Sequence, residues 1–463
     1  MSGHDGKTMG AASRAALAAC SLAFTAFTHS VGAAPALEEV AAGVRIDVGQ
    51  ISVSGISSGG FMAHQFHVAH SEHVMGAGIV AGGPYYCAQG TILDAVTKCS
   101  QFVMLECRAL GLDPRWCAQS DLAPKDKTGI ARAARASFDE ARKQEAAGNI
   151  SKLSHLKNGK VYLFSGVHDA IVPQGVMDTL FHFYADANKA GVAQANIDYS
   201  RTFPARHTMV RDSFSKPAGN VVGSCPLPPA ALPAPDEDAY IDDCEAVAGQ
   251  YQEKSGCNCP PAAASGETTA TCPPSNTQAV CKDLREVDLA GAILKRLYGA
   301  PALSTGRAPV AESAVQAFDQ RQVFSKFSDI PFTALQNASM AREGYVFIPP
   351  ACRDGRRCKL HVAFHGCRQG GQTDRRRGHS GNLFAKFAGY NEWAQAHDLV
   401  VLYPQVDRRA NPPPLNPRGC WDWWGQNYTH AGYHTQHGTQ IKAVAQMINL
   451  LAGGQKLLAV PAE

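Results

Sequence analysis

Short apolar runs rich in β-branched residues recur along the chain: "QISVSG", "GAGIVAGG", "KVYLFSG", "NIDYSRTF", "GYVFIPP", "KLHVAFHG" and "DLVVLYPQ". They are nearly continuous rather than alternating in polarity, which is the pattern of strands covered on both faces. Helix-like segments lie between them, such as "GGFMAHQFHVAHSEH", "PQGVMDTLFHFYADANKAG", "LAGAILKRLYG" and "GTQIKAVAQMINLLAGG". Strands alternating with helices predict an α/β fold with a mostly parallel sheet and helices on both faces. With 463 residues, 45% of them hydrophobic, the chain can bury one large core or two ordinary ones.

Two stretches break the rhythm. Cys87 to about Ile150 holds three further cysteines and a charged helical run, and Cys225 to about Val287 is rich in Pro, Ala and Cys. Both read as disulfide-pinned insertions on a single domain covering 34–463. The alternative is a split near 300–340, with "GAPALSTGRAPVAESA" as linker.

The first 33 residues have the pattern of an export signal. Lys7 and Arg14 supply positive charge, Ala15 to Phe27 is mostly apolar, and Val31-Gly32-Ala33 offers small residues for cleavage. "LAAC" ending at Cys20 resembles a lipoprotein box, but too little apolar sequence precedes it, so ordinary secretion, extracellular or periplasmic, is expected. No later stretch is long and apolar enough to span a membrane. Removing Cys20 with the signal leaves an even number from the 15 cysteines, which in an exported chain favours disulfides. Cys352 with Cys358, and Cys225 with Cys244, are plausible local loops. Cys257, Cys259, Cys272 and Cys281 crowd together without a paired CxxC, so zinc is the weaker reading there. A formal charge of +3, with "CRDGRRCK" and "DRRRGH" as the main basic runs, gives no basis for nucleic-acid binding.

Gly55-Ile56-Ser57-Ser58-Gly59 fits G-x-S-x-G, flanked by a strand-like "QISVS" and a helix-like "GFMAHQFHVAH". A strand-to-helix elbow exposes a serine, here Ser57, and aims helix amides at the reaction centre. The alternative is a plain Gly/Ser turn. A serine nucleophile needs a base and an orienting carboxylate, in the chain order Ser, acid, His. "YLFSGVHDAIVP" places Asp169 just past a strand end, where it is either that acid or a helix cap. "PARHTM" places His207 after the next strand. His168 reads as a loop neighbour of the acid, and His430, His434 and His437 are rival bases, a weak metal site or a polar loop. The amide of Ser58 and the turn His365-Gly366-Cys367, which follows the strand "KLHVAFHG", would supply an oxyanion hole.

Taken together, "PPAC…CKLHVAFHGCRQ", "NEWAQAHDLVVLYPQ" and "GCWDWWG" resemble the first half of secreted poly(3-hydroxybutyrate) depolymerases and related esterases. "ISVSGISSGGFMAHQFHVAHSEHVMGAGIVAGGPYYCA", "SGVHDAIVP" and "ARHTM" resemble the second half. The halves stand in reversed order, as in the circularly permuted, fungal-like type 2 catalytic domain. The resemblance covers most of residues 45–463 outside the insertions. It implies an α/β-hydrolase-like fold and a triad of Ser57, Asp169 and His207. The oxyanion amides would be those of Ser58 and Cys367. It further implies hydrolysis of a polyester or oligoester through an acyl-enzyme, with no metal or organic cofactor. In the family the tryptophan segment, here Trp421 to Trp424, lines the crevice near the site. Tyr85 and Tyr86 are similar candidates. The alternative is a buried aromatic corner pinned by a Cys367–Cys420 disulfide. Two other functions remain: a general carboxylesterase of the feruloyl or acetyl-polysaccharide kind, and a secreted binding protein on a hydrolase scaffold.

Overall fold

The computed structural model describes residues 34–101, 123–185, 191–203, 205–211, 223–224, 241–243, 287–303, 306–325, 338–370, 382–409, 416–425 and 432–461. Met1–Ala34 is a separate unit, and the architecture here is that of Pro35–Glu463. The expected signal segment, the expected Cys225–Cys244 pairing and the Cys257 to Cys281 cluster fall outside the described residues.

Eleven strands are described: β1 (Arg45–Ile56), β2 (Val74–Val80), β3 (Lys160–Phe164), β4 (Ile197–Ser200), β5 (Met209–Arg211), β6 (Gly223–Ser224), β7 (Ile241–Asp243), β8 (Val315–Asp319), β9 (Glu343–Phe347), β10 (Arg357–Phe364) and β11 (Leu399–Tyr403). Eight form one sheet in the order β4-β3-β2-β1-β10-β11-β9-β8, while β5, β7 and β6 make a small second one. From β4 to β11 every pairing in the large sheet is parallel, and β9 and β8 close it antiparallel. Each run quoted above lies on one of these strands. The edge strand β8, "VQAFD", is an addition, too short and polar to stand out in the sequence.

The chain's first half supplies β1 to β4 on one side of the sheet and its second half β8 to β11 on the other. This is the permuted order. Counted from β8, β10 is the third strand, and the turn after it would precede the nucleophile in an unpermuted hydrolase.

The longer helices are α1 (Ser58–Ala69), α2 (Lys127–Ala146), α3 (Gln174–Ala185), α4 (Leu289–Tyr298), α5 (Tyr390–Ala396) and α6 (Thr439–Leu451). They cover both faces, and alternate strand residues feed two cores. Leu360, Val362, Phe364, Val400 and Leu402 pack with α1, α3 and α6. Ala363, Leu399, Val401 and Tyr403 pack with α4 and α5. Disulfides Cys87–Cys99, Cys352–Cys358 and Cys367–Cys420 are formed. The second is a pairing expected from spacing. No helix among the described residues is long and apolar enough to cross a membrane.

Candidate active site

Ser57 ends β1 and begins α1 with φ 57° and ψ −126°, a conformation that L-residues rarely hold. Two backbone bonds fix it: its N–H donates to Val80 O on β2 (2.9 Å), and its carbonyl accepts from Phe61 N (3.0 Å). The glycines around it are required by close approach. A Cβ on Gly55 would lie 2.2 Å from Gly59 O, and one on Gly59 would lie 2.4 Å from both Phe364 O and His365 O. With only hydrogens there, α1 packs directly onto the ends of β1 and β10. All twelve residues of α1 are buried, including His64 and His67, which burial lowers to about 3 and so keeps neutral.

Parallel registry carries the other groups to the same edge. Gly55 pairs with Phe364, so the turn after β10 lies beside Ser57. The loops after β3 and β4 are stitched together by Ser165 N to Ser200 O (2.9 Å), Val167 N to Phe203 O (2.9 Å) and His168 N to Ala205 O (2.9 Å). That last bond ties the residue before Asp169 to the loop that carries His207. Asp169 Oδ1 accepts from Ile171 N and Val172 N, both at 2.9 Å, which fixes the carboxylate. His207 Nδ1 faces it at 2.9 Å from Oδ2 and 3.1 Å from Oδ1, with both residues buried. His434, a rival base, instead lies against Tyr85, Tyr86 and Glu140, and burial lowers its pKa.

Ser57, His207, Gly366, Cys367, Gln369 and Ile171 line one small cleft. Gly366 N–H is taken by Gln369 Oε1 at 2.6 Å, so Cys367 carries the next amide of this turn. Ser58, the first residue of α1, has no intrahelical acceptor for its N–H. Its hydroxyl accepts from Trp421 N (3.2 Å), and Cys420 is disulfide-bonded to Cys367. The segments carrying both expected oxyanion amides are therefore tied together. Gln369 was missed in the sequence; its signal was a short polar side chain three residues beyond the glycine of "HGCRQ".

The aromatic expectations come out differently. Tyr85 and Trp421 are fully buried, and Trp424 is 5% exposed. Trp421 packs edge-on against Phe364, Trp423 stacks on Phe61 at 4.2 Å, and Tyr85 lies against His64 and Phe183. As placed, these rings back the elbow and present no open face to a ligand, which is the arrangement of the pinned aromatic corner.

A strained serine at the end of a central strand, with a carboxylate–histidine pair on neighbouring strand ends, defines a serine hydrolase of the α/β-hydrolase class. The chain is 31% identical over 449 residues to the poly(3-hydroxybutyrate) depolymerase of Delftia acidovorans, an alignment covering 96% of this chain and 66% of that one. It is 26% identical over 441 residues to the polyhydroxybutyrate depolymerase of Talaromyces funiculosus, covering 93% and 97%. It thus spans about two thirds of the Delftia relative's length and nearly all of the Talaromyces one's. Two solved structures are similar at 25% identity, each covering 92% of this chain and 100% of its own: a PHB depolymerase from Penicillium funiculosum (TM-score 0.58), and a serine-to-alanine PHB depolymerase complexed with an R3HB trimer (TM-score 0.59). No family model matches the sequence. By these relatives, and by its permuted strand order, the chain belongs to the polyhydroxybutyrate depolymerase family.

Proposed function

We propose that this protein is an exported esterase that hydrolyses poly(3-hydroxybutyrate) or its oligomers. The observation that carries the reading is the Asp169–His207 pair opening onto the same cleft as Ser57 and the Gly366–Cys367 turn. The names of the relatives, and the trimer held by a serine-to-alanine variant of one of them, support the substrate class.

With Nδ1 committed to Asp169, His207 Nε2 is the nitrogen that takes the serine proton. Ser57 Oγ attacks the ester carbonyl, and the oxyanion forms against the amides of Ser58 and Cys367. His207 then protonates the leaving hydroxyl. Water, deprotonated by His207, attacks the acyl-enzyme and releases the hydroxyacid, restoring Ser57. Asp169 holds the imidazole and stabilises its charged form. Export fits the charged and apolar N-terminal pattern and the disulfides of the fold.

The test pairs the mature protein with Ser57→Ala, following clearing of a poly(3-hydroxybutyrate) suspension and release from a soluble short-chain ester. Clearing that is lost in Ser57→Ala is expected. Ester turnover without clearing would favour a general carboxylesterase, and no Ser57-dependent turnover on either would favour a binding protein.

A further inference from the structure

The peptide joining Gly366 to Cys367 has an unusual number of constraints on one side. Its carbonyl, Gly366 O, accepts from the His365 ring at Nδ1 (2.7 Å) and from Gln369 N (3.3 Å). The direction of the first bond follows from the other ring nitrogen. Val406 N–H donates to His365 Nε2 at 3.2 Å, so Nε2 carries the lone pair and Nδ1 the hydrogen. Burial lowers His365 to about 4, which keeps this neutral tautomer in place. The ring also has a shaped slot: a Cβ on Gly370 would come within 2.9 Å of it.

In a trans peptide the C=O and N–H point opposite ways. Fixing Gly366 O toward His365 therefore turns Cys367 N–H the other way, on a turn whose Gly366 and Cys367 line the same cleft as Ser57. The preceding N–H, of Gly366, is withdrawn by Gln369 Oε1. A carbonyl that accepts a hydrogen bond also polarises its own peptide and strengthens the N–H as a donor. We propose that His365, assisted by Gln369, is a positioning residue for catalysis: it presets the Gly366–Cys367 peptide so that Cys367 N–H is aimed at the developing oxyanion. His365 touches no reacting atom and acts through this one peptide. The inference rests on the serine-esterase reading above.

The two ring nitrogens can be mimicked separately. In His365→Asn the amide Nδ2 stands near the Nδ1 position and can donate to Gly366 O. In His365→Gln the side chain reaches the Nε2 position and can accept from Val406 N–H, but the donor to Gly366 O is lost. The measurement is steady-state hydrolysis of p-nitrophenyl butyrate, together with the rate of labelling by a fluorophosphonate. For His365→Gln, kcat is expected to fall about tenfold to a hundredfold, with KM within about twofold and labelling slowed in parallel. His365→Asn is expected to recover most of that loss. Equal losses in the two variants, a wild-type kcat in His365→Gln, or a change confined to KM would overturn the proposal. Should neither variant fold, Gln369→Met at the cleft wall serves instead: a kcat loss at constant KM supports the assignment and an unchanged kcat defeats it. Ser57→Ala separates the two levels. If it retains turnover, the esterase reading itself fails; if it is inactive while His365→Gln is unimpaired, only the positioning role fails.

Discussion

At Ser57 a positive φ is held by a non-glycine residue because the surroundings leave no alternative: its N–H is anchored to β2 and its carbonyl to α1. Such strain costs of order 1–3 kcal/mol and persists only where packing over-determines it. The neighbouring glycines carry the packing part. Gly59→Ala places a methyl 2.4 Å from two carbonyl oxygens of the β10 turn, so a loss of about 1–3 kcal/mol is expected in urea unfolding, together with reduced kcat as that turn is displaced. At the proposed acid, Asp169→Asn keeps the shape but removes the carboxylate oxygen that faces His207 Nδ1. A fall in kcat of about 10⁴ is expected near neutral pH, with the fold retained by circular dichroism. A loss of only a few-fold would show that another carboxylate serves His207. These residues were legible because each stands just past a strand end. The part His365 plays was not legible, since a ring hydrogen bond to a backbone carbonyl leaves no mark on composition, and Gln369 showed only its spacing from Gly366.

Among the elements, α1 shows why periodicity alone misleads. It has no polar face, because β1, β2 and β10 lie beneath it and the aromatic corner of Trp421 and Trp423 above. Its histidines are consequently core residues: His64 donates to Gly83 O, and His67 pairs with the Tyr184 hydroxyl. The opposite case is α2, which has a charged outer face and a buried stripe of Ile130, Ala134, Phe138 and Ala141. Asp126 caps it, accepting from Gly129 N at 2.7 Å. Asp126→Ala is expected to cost about 1 kcal/mol in urea unfolding. Because α2 packs on α3 and gives no residue to the cleft lining, kcat should be unaltered. A kcat loss would show that α2 communicates with the site.

Among the described residues of the whole molecule, burial lowers six histidines: His64, His67, His70 and His361 to about 3, His365 to about 4, and His434 in the same direction. An unfolded histidine takes up its proton near 6.5, so folding forfeits these protonations as the solution becomes acid. A base lowered by folding contributes stability that is fully present above about pH 6.5 and lost as pH falls toward its folded value. Each such group changes the unfolding free energy by about 1.4 kcal/mol per pH unit in that window. Asp422, pushed up to about 7 by burial, and Glu392, also raised by burial, act in the opposite sense but are outnumbered. Stability measured by urea unfolding is therefore expected to drop steeply between about pH 6.5 and 4, and His67→Phe should flatten the slope. A pH-independent unfolding free energy across that range would contradict the burial of these rings.

The sequence by itself determined the layered class of the fold, through continuous apolar strand runs that must be covered on both faces. It also singled out Ser57, Asp169 and His207 as candidates, because strand ends and glycine turns are local signals. It marked the permutation, since the order of motifs is a property of the chain alone. Only the tertiary structure decided what those positions face. Parallel pairing of Gly55 with Phe364 brings the second-half turn against the first-half serine. Packing of α1 makes core residues of Tyr85 and Trp421, which are fully buried. The bond from Val406 fixes which His365 nitrogen bears the hydrogen. Each depends on groups distant along the chain and adjacent only across the sheet, and no local propensity encodes that adjacency.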